Sequence, residues 1–475
     1  MHPHTPGPTR NCRLTLGLAI LATVAVWALS RFSAHANARI IVEYGKSSEL
    51  GAFTVVPSAF SDAHEAAAWR AARAADVAAL ITSTDPWRAR LGRALAADGD
   101  DPFLIAVHGY ARSGVWPVAF SRALRYIDAR PPLALAQSLA SGAIAALHKA
   151  VEWASVIAGN TSSYRFRAPG GIFVPGMEAA YYSQYREAWK AWTMRKGGVD
   201  CNRHLEIIGS GAVPIFKKIG DIVPTTLFNY PKHLLAFALE GKDERDEARL
   251  ATLRHFFLHW MHDHQSTVAV AKYLARAADF RATAEGMPPL GLGASHRRVL
   301  YIDERLPREV DYLAVFTLLG LVEWLGPENV DVLFPVPYIY EGGPTTCEGG
   351  GPLYGGGFGY AHYFPANFSR QNHDADKMVE MLRRGEYAAV VWGSIRRSDY
   401  LTSDARVLAA YRGQPHRLWL LNGDDQYDVW ASATYWWQPR WSSNDAHKEY
   451  MCFARELGTD PSYKYVWGTS ALDAL

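Results

Sequence analysis

The chain has 475 residues, of which 49% are hydrophobic and 20% are charged, and its formal net charge is +2. This length allows two or three domains, and the near-neutral charge argues against a nucleic-acid binder that works by neutralising phosphates. Four cysteines in a chain of this size exclude a dense disulfide framework.

The chain begins with a polar segment that leads into an apolar run from Leu14 to Ser30. At about seventeen residues this run is at the short end for a membrane-spanning helix, and the small residues at 34–38 suit a signal-peptidase site equally well. Basic residues before the run would leave the body of an uncleaved protein in the lumen. We expect residues 1–38 to be a cytoplasmic tail with a signal-anchor, or else a signal peptide, and the protein to enter the secretory pathway.

The first half of the chain, residues 40–285, is predicted to form an α/β and helical domain. Phe103–Val107 reads as a strand that ends in His108-Gly109-Tyr110, a polar turn typical of the mouth of an α/β sheet. Residues 178–194 have a helical pattern. A loop at 287–296, rich in glycine and proline, is predicted to link this half to the next.

A basic, glycine-broken loop, Arg195-Lys196-Gly197-Gly198, stands before a short predicted helix and a buried strand. Asp200 or Asn202 is expected to cap the helix, because aspartate and asparagine side chains accept hydrogen bonds from the first free N–H groups. Glycines end the helix, and Ala212–Phe216 reads as the strand. The pattern predicts a loop, a helix and a strand in direct succession.

Two charged residues of this helix suggest chemistry. Arg203 and Glu206 are three residues apart, so they share one face of the helix. Backbone N–H groups and the Arg203 cation can hold a diphosphate, and Glu206 can accept hydrogen bonds from ribose hydroxyls. The segment is therefore a workable cradle for a sugar nucleotide.

The spacing of these residues resembles the donor-side motif of exostosin-like glycosyltransferases, in which Arg-x-x-Glu is followed by Gly-x-x-Pro and a hydrophobic strand. The matching residues are Arg203, Glu206, Gly211 and Pro214. The segment is more similar still to viral and protist glycosyltransferase-like proteins with a Lys-Gly-Gly-x-Asp-Cys-x-Arg-His-x-Glu core. The residues at those positions are Lys196, Gly197, Gly198, Asp200, Cys201, Arg203, His204 and Glu206. The resemblance covers about forty residues.

This resemblance implies an exostosin-like hexosyl- or pentosyltransferase that takes a nucleotide-sugar donor without needing a metal ion. Lysine and arginine would stabilise the charge on the leaving diphosphate. The acceptor would be a glycan or glycoprotein, and the protein would be a type II Golgi membrane protein held through residues 14–30. The donor-binding residues would be Lys196, Gly197, Gly198, Arg203, His204, Glu206, Gly211 and Pro214.

The second half, residues 295–475, reads as a further Rossmann-like α/β domain. Its first strand, Val299–Ile302, ends at Asp303-Glu304, and an amphipathic helix is predicted at 308–325. Further strands are predicted at Val330–Phe334, Ala388–Gly393 and Leu418–Leu421, and further helices at 372–384 and 403–411. Such alternation is typical of a doubly wound parallel sheet.

The predicted fold class is therefore α/β, with two Rossmann-like domains facing a cleft in a GT-B-like arrangement after an N-terminal hydrophobic anchor. An inverting transfer also needs a base, for which Asp303, Glu304 and His108 are all candidates at strand ends. In the proteins that the motif resembles, a unit like 299–425 comes before the Arg-His-x-Glu unit, whereas here it comes after. The chain thus resembles a circularly permuted relative.

Two patterns suggest metal sites but have simpler explanations. His255, His259 and His262 share a helix face at a spacing that can bind zinc. The glutamate of the metalloprotease motif is missing, so a polar and aromatic helix face is favoured. Asp374-Ala375-Asp376 spells a manganese-binding motif, but Asp374 fits a helix cap better.

Two loops in the second half are weaker candidates for ligand contacts. Gly355–Gly359 is rich in glycine and could contact phosphate or cover a cleft. Ser394, Arg396 and Arg397 follow a buried strand, where ligands bind in open α/β sheets, although charged surface is an equally good explanation.

Two other functions stay open. The second half, with acids after its strands at Asp303 and Asp424, would suit a Rossmann-type methyltransferase, which binds a methyl donor rather than a nucleoside diphosphate. A non-catalytic glycan-binding scaffold would bind carbohydrate but no nucleotide. A thermal-shift screen against nucleotide sugars is the most informative single experiment, because a donor that binds the native state raises the melting temperature.

Overall fold

The computed structural model describes residues 53–56, 75–98, 103–106, 113–115, 151–154, 172–194, 198, 200–217, 230–243, 246–284, 286–293, 297–370, 374–393, 410–411, 413–422 and 451–454. Leu14–Ser30 lies outside these ranges. No helix within them is long and apolar enough to cross a membrane.

Strands and helices alternate along most of the described chain, which confirms a mixed α/β fold with parallel sheets. The strands are β1 Phe53–Val56, β2 Phe103–Ala106, β3 Ser113–Val115, β4 Val151–Trp153, β5 Ala188–Thr193, β6 Val213–Phe216, β7 Arg298–Ile302, β8 Val330–Val332, β9 Tyr387–Trp392, β10 Leu418–Asn422 and β11 Met451–Ala454. The helices are α1 Pro86–Asp98, α2 Pro175–Arg186, α3 Asn202–Gly209, α4 Lys232–Glu240, α5 Glu247–His264, α6 Thr267–Ala284, α7 Tyr312–Leu325 and α8 Ala375–Arg383.

The larger sheet has six parallel strands in the order β3-β11-β10-β9-β7-β8. Side chains along its strands alternate between two cores, as the period of a strand requires. Tyr301 and Val391 belong to the core that includes α7, whereas Leu300 and Val390 belong to the core that includes Met378 of α8. Helices therefore cover both faces, and the predicted doubly wound sheet is confirmed.

The strand order of this sheet reverses next to β7. The chain runs from β7 outward to β8 and then returns to β9 on the opposite side of β7. Open α/β sheets bind ligands at the carboxyl ends of the strands where such a reversal occurs. Here Asp303 follows β7 and Gly393 follows β9, so both lie at the reversal point.

The smaller sheet contains three parallel strands in the order β4-β5-β6. Its β5–α3–β6 segment is a strand–helix–strand unit that carries the Arg-His-x-Glu motif. Pro214 lies in β6, which among the described strands pairs only with β5, and an edge strand is where a residue without an N–H is tolerated. The strand predicted at Ala212–Phe216 is thus present and belongs to a different sheet from β7.

Three sequence-based predictions of local structure were wrong. The helix predicted over 178–194 ends at Arg186, and β5 follows after one residue. Strand β2 pairs antiparallel with β1 in a two-stranded sheet instead of joining a parallel one. The helix-cap prediction for α3 was also wrong, since the capping position is Cys201.

The two halves of the chain share one hydrophobic core. Helices α6 and α7 cross so closely that a Cβ on Gly320 would come within 2.1 Å of the carbonyl oxygen of Thr267. The loop predicted as a linker also packs inward, because Leu290 is fully buried. Strand β3 comes before α6 and α7 in the chain, and it pairs with β11 in the larger sheet.

Candidate functional site

The amino end of α3 lies at the carboxyl edge of the smaller sheet. Strand β5 ends at Thr193, and after a short loop α3 begins at Asn202. The capping residue Cys201 makes no side-chain capping bond. Asn202 does not cap because its side-chain amide donates instead to Oε1 of Glu206, at 3.0 Å. Gly198, which precedes the helix, is buried.

Arg203 brings a positive charge to this helix end. Its Nε and Nη1 atoms are buried and have no hydrogen-bond partner among the described residues. Burial lowers the pKa of Arg203, but two neighbouring tyrosines and Glu206 outweigh burial, so the net pKa is raised and the guanidinium stays charged. A buried cation with unused N–H groups is a receptor for an anion.

Glu206 is buried and takes part in a hydrogen-bonded cluster. Tyr181 of α2 donates its hydroxyl to Oε2 at 2.6 Å, and Asn202 donates to Oε1. Burial, followed by the Glu206 carboxylate, raises the pKa of Tyr181 well above its usual range, so the hydroxyl keeps its proton. Tyr185 lies beside Tyr181, with the two hydroxyl oxygens 3.2 Å apart. These contacts fix Glu206 to α2.

His204 lies on the inner side of α3 and is fully buried. Its Nδ1 atom is 2.7 Å from Oγ1 of Thr193, and its Nε2 atom is 3.3 Å from Sγ of Cys201. The ring of Phe216 packs against the imidazole, with the two centroids 4.6 Å apart. His204 therefore contacts β5, β6 and the residue that caps its own helix.

Gly211 and Pro214 lie away from Arg203. Helix α3 has eight residues and is about 12 Å long, and Gly211 follows its carboxyl end. Gly211 has a φ of 76°, and a Cβ there would come within 2.8 Å of Nε of Arg254. Gly211 thus makes the turn into β6 and leaves room for the Arg254 side chain. This turn lies at the opposite edge of the sheet from Arg203.

The strand-end acids of the larger sheet differ in burial. Asp303 is buried, and its Oδ1 accepts hydrogen bonds from the backbone N–H groups of Arg305 and Leu306, whereas Glu304 is half-buried. A Cβ on Gly393 would come within 2.7 Å of Oδ2 of Asp303, so the backbone after β9 passes directly beside this carboxylate.

The glycine-rich loop at 355–359 packs against α2. The backbone N–H of Gly359 donates to Oε1 of Glu178 at 2.7 Å, and the rings of Phe358 and Tyr181 have centroids 5.5 Å apart. Since Tyr181 also holds Glu206, α2 connects the glycine-rich loop of the second half to the Arg-His-x-Glu helix of the first half.

Other predicted site residues have these positions. Lys196, Gly197, His108 and Ser394 lie outside the described residues. Asp374 caps α8 by accepting from the N–H of Lys377, as predicted. Nε2 of His255 is 3.4 Å from Oδ2 of Asp76, and the described part of the chain contains no group of three or more side chains able to hold a metal ion.

No protein-family model matches the chain, and no curated protein or solved structure was found to be similar to it. The features of the molecule that bear on its function are the geometry of the β5–α3–β6 unit and the strand ends of the larger sheet.

Sequence reasoning missed several members of this site. Tyr181 is not among the donor-site residues that the sequence predicts, although its spacing of four from Tyr185 would place both hydroxyls on one helix face. The ring of Tyr230 packs at a tilt against Trp260, with centroids 4.4 Å apart, and its buried hydroxyl has no hydrogen-bond partner among the described residues. Nothing local to Tyr230 signals its proximity to α3, because it approaches through tertiary packing.

Proposed function

We propose that the protein is a glycosyltransferase that transfers a sugar from a nucleotide-sugar donor to a glycan or glycoprotein acceptor. The observation that carries this proposal is the pair of buried, unbonded N–H groups of Arg203 at the amino end of α3. A guanidinium and the first N–H groups of a helix together favour a phosphate or diphosphate. Lys196, Gly197 and Gly198 precede this helix and would complete the diphosphate cradle.

Glu206 has a supporting role in this proposal. Tyr181 and Asn202 donate hydrogen bonds to the two carboxylate oxygens of Glu206. Through these bonds Glu206 orients the first turn of α3, and its carboxylate keeps a negative charge near Arg203. In the proposed complex this carboxylate would also accept a ribose hydroxyl of the donor. His204 anchors the same turn to β5 through Thr193.

The larger sheet would supply the acceptor side of a GT-B-like pair of domains. Asp303 lies at the reversal point of the strand order, where open sheets bind ligands. Asp303, Glu304 and His108 remain the candidates for the base that removes the acceptor proton. With a guanidinium to neutralise the leaving diphosphate, the proposed transfer needs no metal ion. The proposed setting is the Golgi lumen, with residues 14–30 as the membrane anchor.

The test is a calorimetric titration of the full-length chain with uridine diphosphate, inorganic pyrophosphate and uridine. Binding of the two phosphate compounds but not of uridine is expected, since Arg203 recognises the anion. The Arg203→Gln variant should bind both about 10- to 100-fold more weakly, the equivalent of a lost charge-assisted hydrogen bond. Other nucleoside diphosphates would then identify the preferred base.

Arg254 provides a matched control for this experiment. It is also a largely buried arginine with an Nε atom unbonded within the described residues, and burial lowers its pKa. Arg254→Gln removes a similar side chain at the far end of α3 and should leave pyrophosphate binding unchanged. Folded Arg203→Gln protein that binds pyrophosphate as tightly as the native protein would contradict the proposal. Tight binding of a methyl-donor analogue in place of diphosphates would favour a methyltransferase.

A further inference from the structure

A turn on the surface of the second half carries a triplet that accepts glycans. Asn367-Phe368-Ser369 spells Asn-x-Ser, the acceptor sequence for N-linked glycosylation. The triplet lies in a short 3₁₀ helix, Ala366–Arg370, in which Asn367 and Ser369 are exposed. The ring of Phe368 stacks on Phe364 of the core, with centroids 5.5 Å apart. The turn is therefore fixed to the core while Asn367 stays at the surface.

We propose that Asn367 carries an N-linked glycan and that the first sugar of this glycan lies in the groove beside it. This inference rests on the proposed secretory setting, because such glycans are attached in the lumen. It does not depend on whether the protein itself transfers sugars.

The groove beside Asn367 has a volume of about 570 Å³. Sites that hold small molecules measure about 300–1,000 Å³, so the groove is large enough for a sugar ring. Its lining includes Asn367 and Phe368 of the turn, Met378 and Met381 of α8, and Arg298 and Asp331 of the larger sheet. Because Asn367 is itself part of the lining, a sugar attached to its side chain begins at the groove.

The lining suits a neutral ligand that is partly apolar. The ring of Phe368 and the two methionine side chains offer apolar contact to the carbon-bound hydrogens of a sugar ring. Carboxylates outnumber cations around the groove, so a phosphate or another anion is disfavoured. The carboxylates are Glu328, Asp331, Asp374 and Glu386, and the cations are Arg298 and Lys377.

One wall of the groove is fixed before any ligand arrives. The carboxylate of Asp331 accepts hydrogen bonds from Nε of Arg298 at 3.2 Å and from the hydroxyl of Tyr387 at 2.7 Å. These bonds tie β7, β8 and β9 together at their amino ends. A wall that is already ordered loses little entropy when a sugar packs against it.

The groove lies at the edge of the larger sheet opposite to the reversal of strand order. Arg298 begins β7 and Asp303 follows it, so the two edges are about 16 Å apart. A sugar in the groove would therefore lie away from the carboxyl ends of β7 and β9.

The glycan would be added as the chain enters the lumen, before the turn forms. The co-reactant is an oligosaccharide carried on a lipid diphosphate. The side-chain nitrogen of Asn367 bonds to the anomeric carbon, the bond from that carbon to the diphosphate oxygen breaks, and the lipid diphosphate leaves. The nitrogen gives up a proton to a base of the transferring enzyme. In the folded protein Oγ of Ser369 donates to the carbonyl oxygen of Ala366 at 2.6 Å, a bond that forms only afterwards.

The experiment maps glycans on the full-length chain produced in cultured animal cells. An appended carboxyl-terminal segment with its own Asn-Phe-Ser triplet reports entry into the lumen. Peptide N-glycosidase in heavy-oxygen water converts each glycosylated asparagine to a labelled aspartate, which peptide mass spectrometry locates. We expect Asn367 to be labelled. Ser369→Ala should abolish this labelling, and the conservative Ser369→Thr should keep it, because the acceptor sequence needs a hydroxyl at this position.

Two results would overturn the modification site. If the appended triplet is labelled and Asn367 is not, the chain enters the lumen but Asn367 is not an acceptor. If neither is labelled, the chain does not enter the lumen, and the proposed setting is wrong together with this inference. Neither result changes pyrophosphate binding by Arg203, so the donor site is tested separately.

Hydrogen exchange tests the position of the sugar. Protein trimmed to the first N-acetylglucosamine should exchange the amides of α8 at least about twofold more slowly than the Asn367→Gln protein, because the sugar packs on this helix. Helix α4, in the other half of the chain, is the control and should exchange equally in both proteins. Equal exchange of α8 would show that the sugar extends into solvent and would overturn its placement in the groove.

Discussion

Tyr181 makes the contact on which the position of Glu206 depends. Its hydroxyl, buried between α2 and α3, donates to the carboxylate of Glu206, and its ring packs on Phe358 of the glycine-rich loop. A buried carboxylate that loses a donor pays the desolvation of the unpaired oxygen. Loss of this one hydroxyl group is therefore expected to destabilise the folded protein.

We predict that Tyr181→Phe lowers the free energy of unfolding by about 1.5–3 kcal/mol, the range for hydrogen bonds to charged groups. The change removes only the hydroxyl, so ring packing is kept. Urea unfolding followed by tryptophan fluorescence measures the loss. Ser183→Ala on the same helix, whose hydroxyl only bonds the carbonyl oxygen of Ala180, should change stability by less than about 0.5 kcal/mol. Equal effects of the two variants would contradict the prediction.

At the residue scale the sequence predicted the elements that carry the candidate residues better than it predicted the contacts of those residues. Arg203 and Glu206 do share the helix α3, as their spacing predicted. The predicted capping residue of α3 was wrong, because the Asn202 side chain donates to Glu206 and Cys201 occupies the capping position. The contact of His204 with Thr193 could not be predicted, since it joins a helix to a neighbouring strand through the fold.

Among the elements, α6 and α7 show how closely two helices can approach. Gly320 in the middle of α7 lies against the backbone of Thr267 at the start of α6, and a side chain of any size there would overlap it. The oxygen that a Cβ would meet belongs to the main chain, so it cannot move aside as a flexible side chain would. The glycine thus sets the separation of the two helices.

We predict that Gly320→Ala destabilises the protein by about 1–3 kcal/mol or more, because overpacking forces the two helices apart. Helix propensity alone would favour alanine, so the sign of the measured change distinguishes packing from propensity. Gly176→Ala is the matched control, since a Cβ at Gly176 meets nothing within 4 Å. Thermal unfolding of both variants gives the comparison. A Gly320→Ala protein as stable as the native one would show that the helices relax freely.

Most strands and helices of the second half and the short buried strand β6 were predicted correctly, whereas the buried strand β5 was not. Helix α7 and strands β7 and β9 occur where the sequence predicted a helix and two strands, so the doubly wound sheet was accessible from the sequence. The predicted amphipathic character of α7 was wrong, because every residue from Leu313 to Val322 is buried. Strand β5 was read as helix because no glycine or proline separates it from α2. It is buried on both faces, and even Lys190 is buried, with Nζ donating to the carbonyl oxygen of Lys242. Such a strand shows no alternation.

At the scale of the whole molecule, the two halves are joined by buried contacts rather than by a loose linker. Glu178 of the first half is buried and accepts the N–H of Gly359 in the second. Helices α6 and α7 meet across the same boundary, and one hydrophobic core extends through both halves. Halves that share a core lose stability together.

We predict a single cooperative unfolding transition for the full-length chain in urea. Far-ultraviolet circular dichroism and tryptophan fluorescence should give the same midpoint, because neither half keeps its core without the other. Glu178→Ala should lower that midpoint for both probes by the same amount. Two separate transitions, with Glu178→Ala shifting only one of them, would show that the halves fold independently.

The pairing of β3 with β11 also has a consequence for the order of synthesis. These strands are neighbours in the finished sheet but lie about 340 residues apart in the chain, and β11 is close to its end. At ribosomal rates of about 5–20 residues per second, β3 leaves the ribosome tens of seconds before its partner exists. During that interval β3 lacks the partner strand that it has in the finished sheet, so this end of the sheet can be completed only late in synthesis.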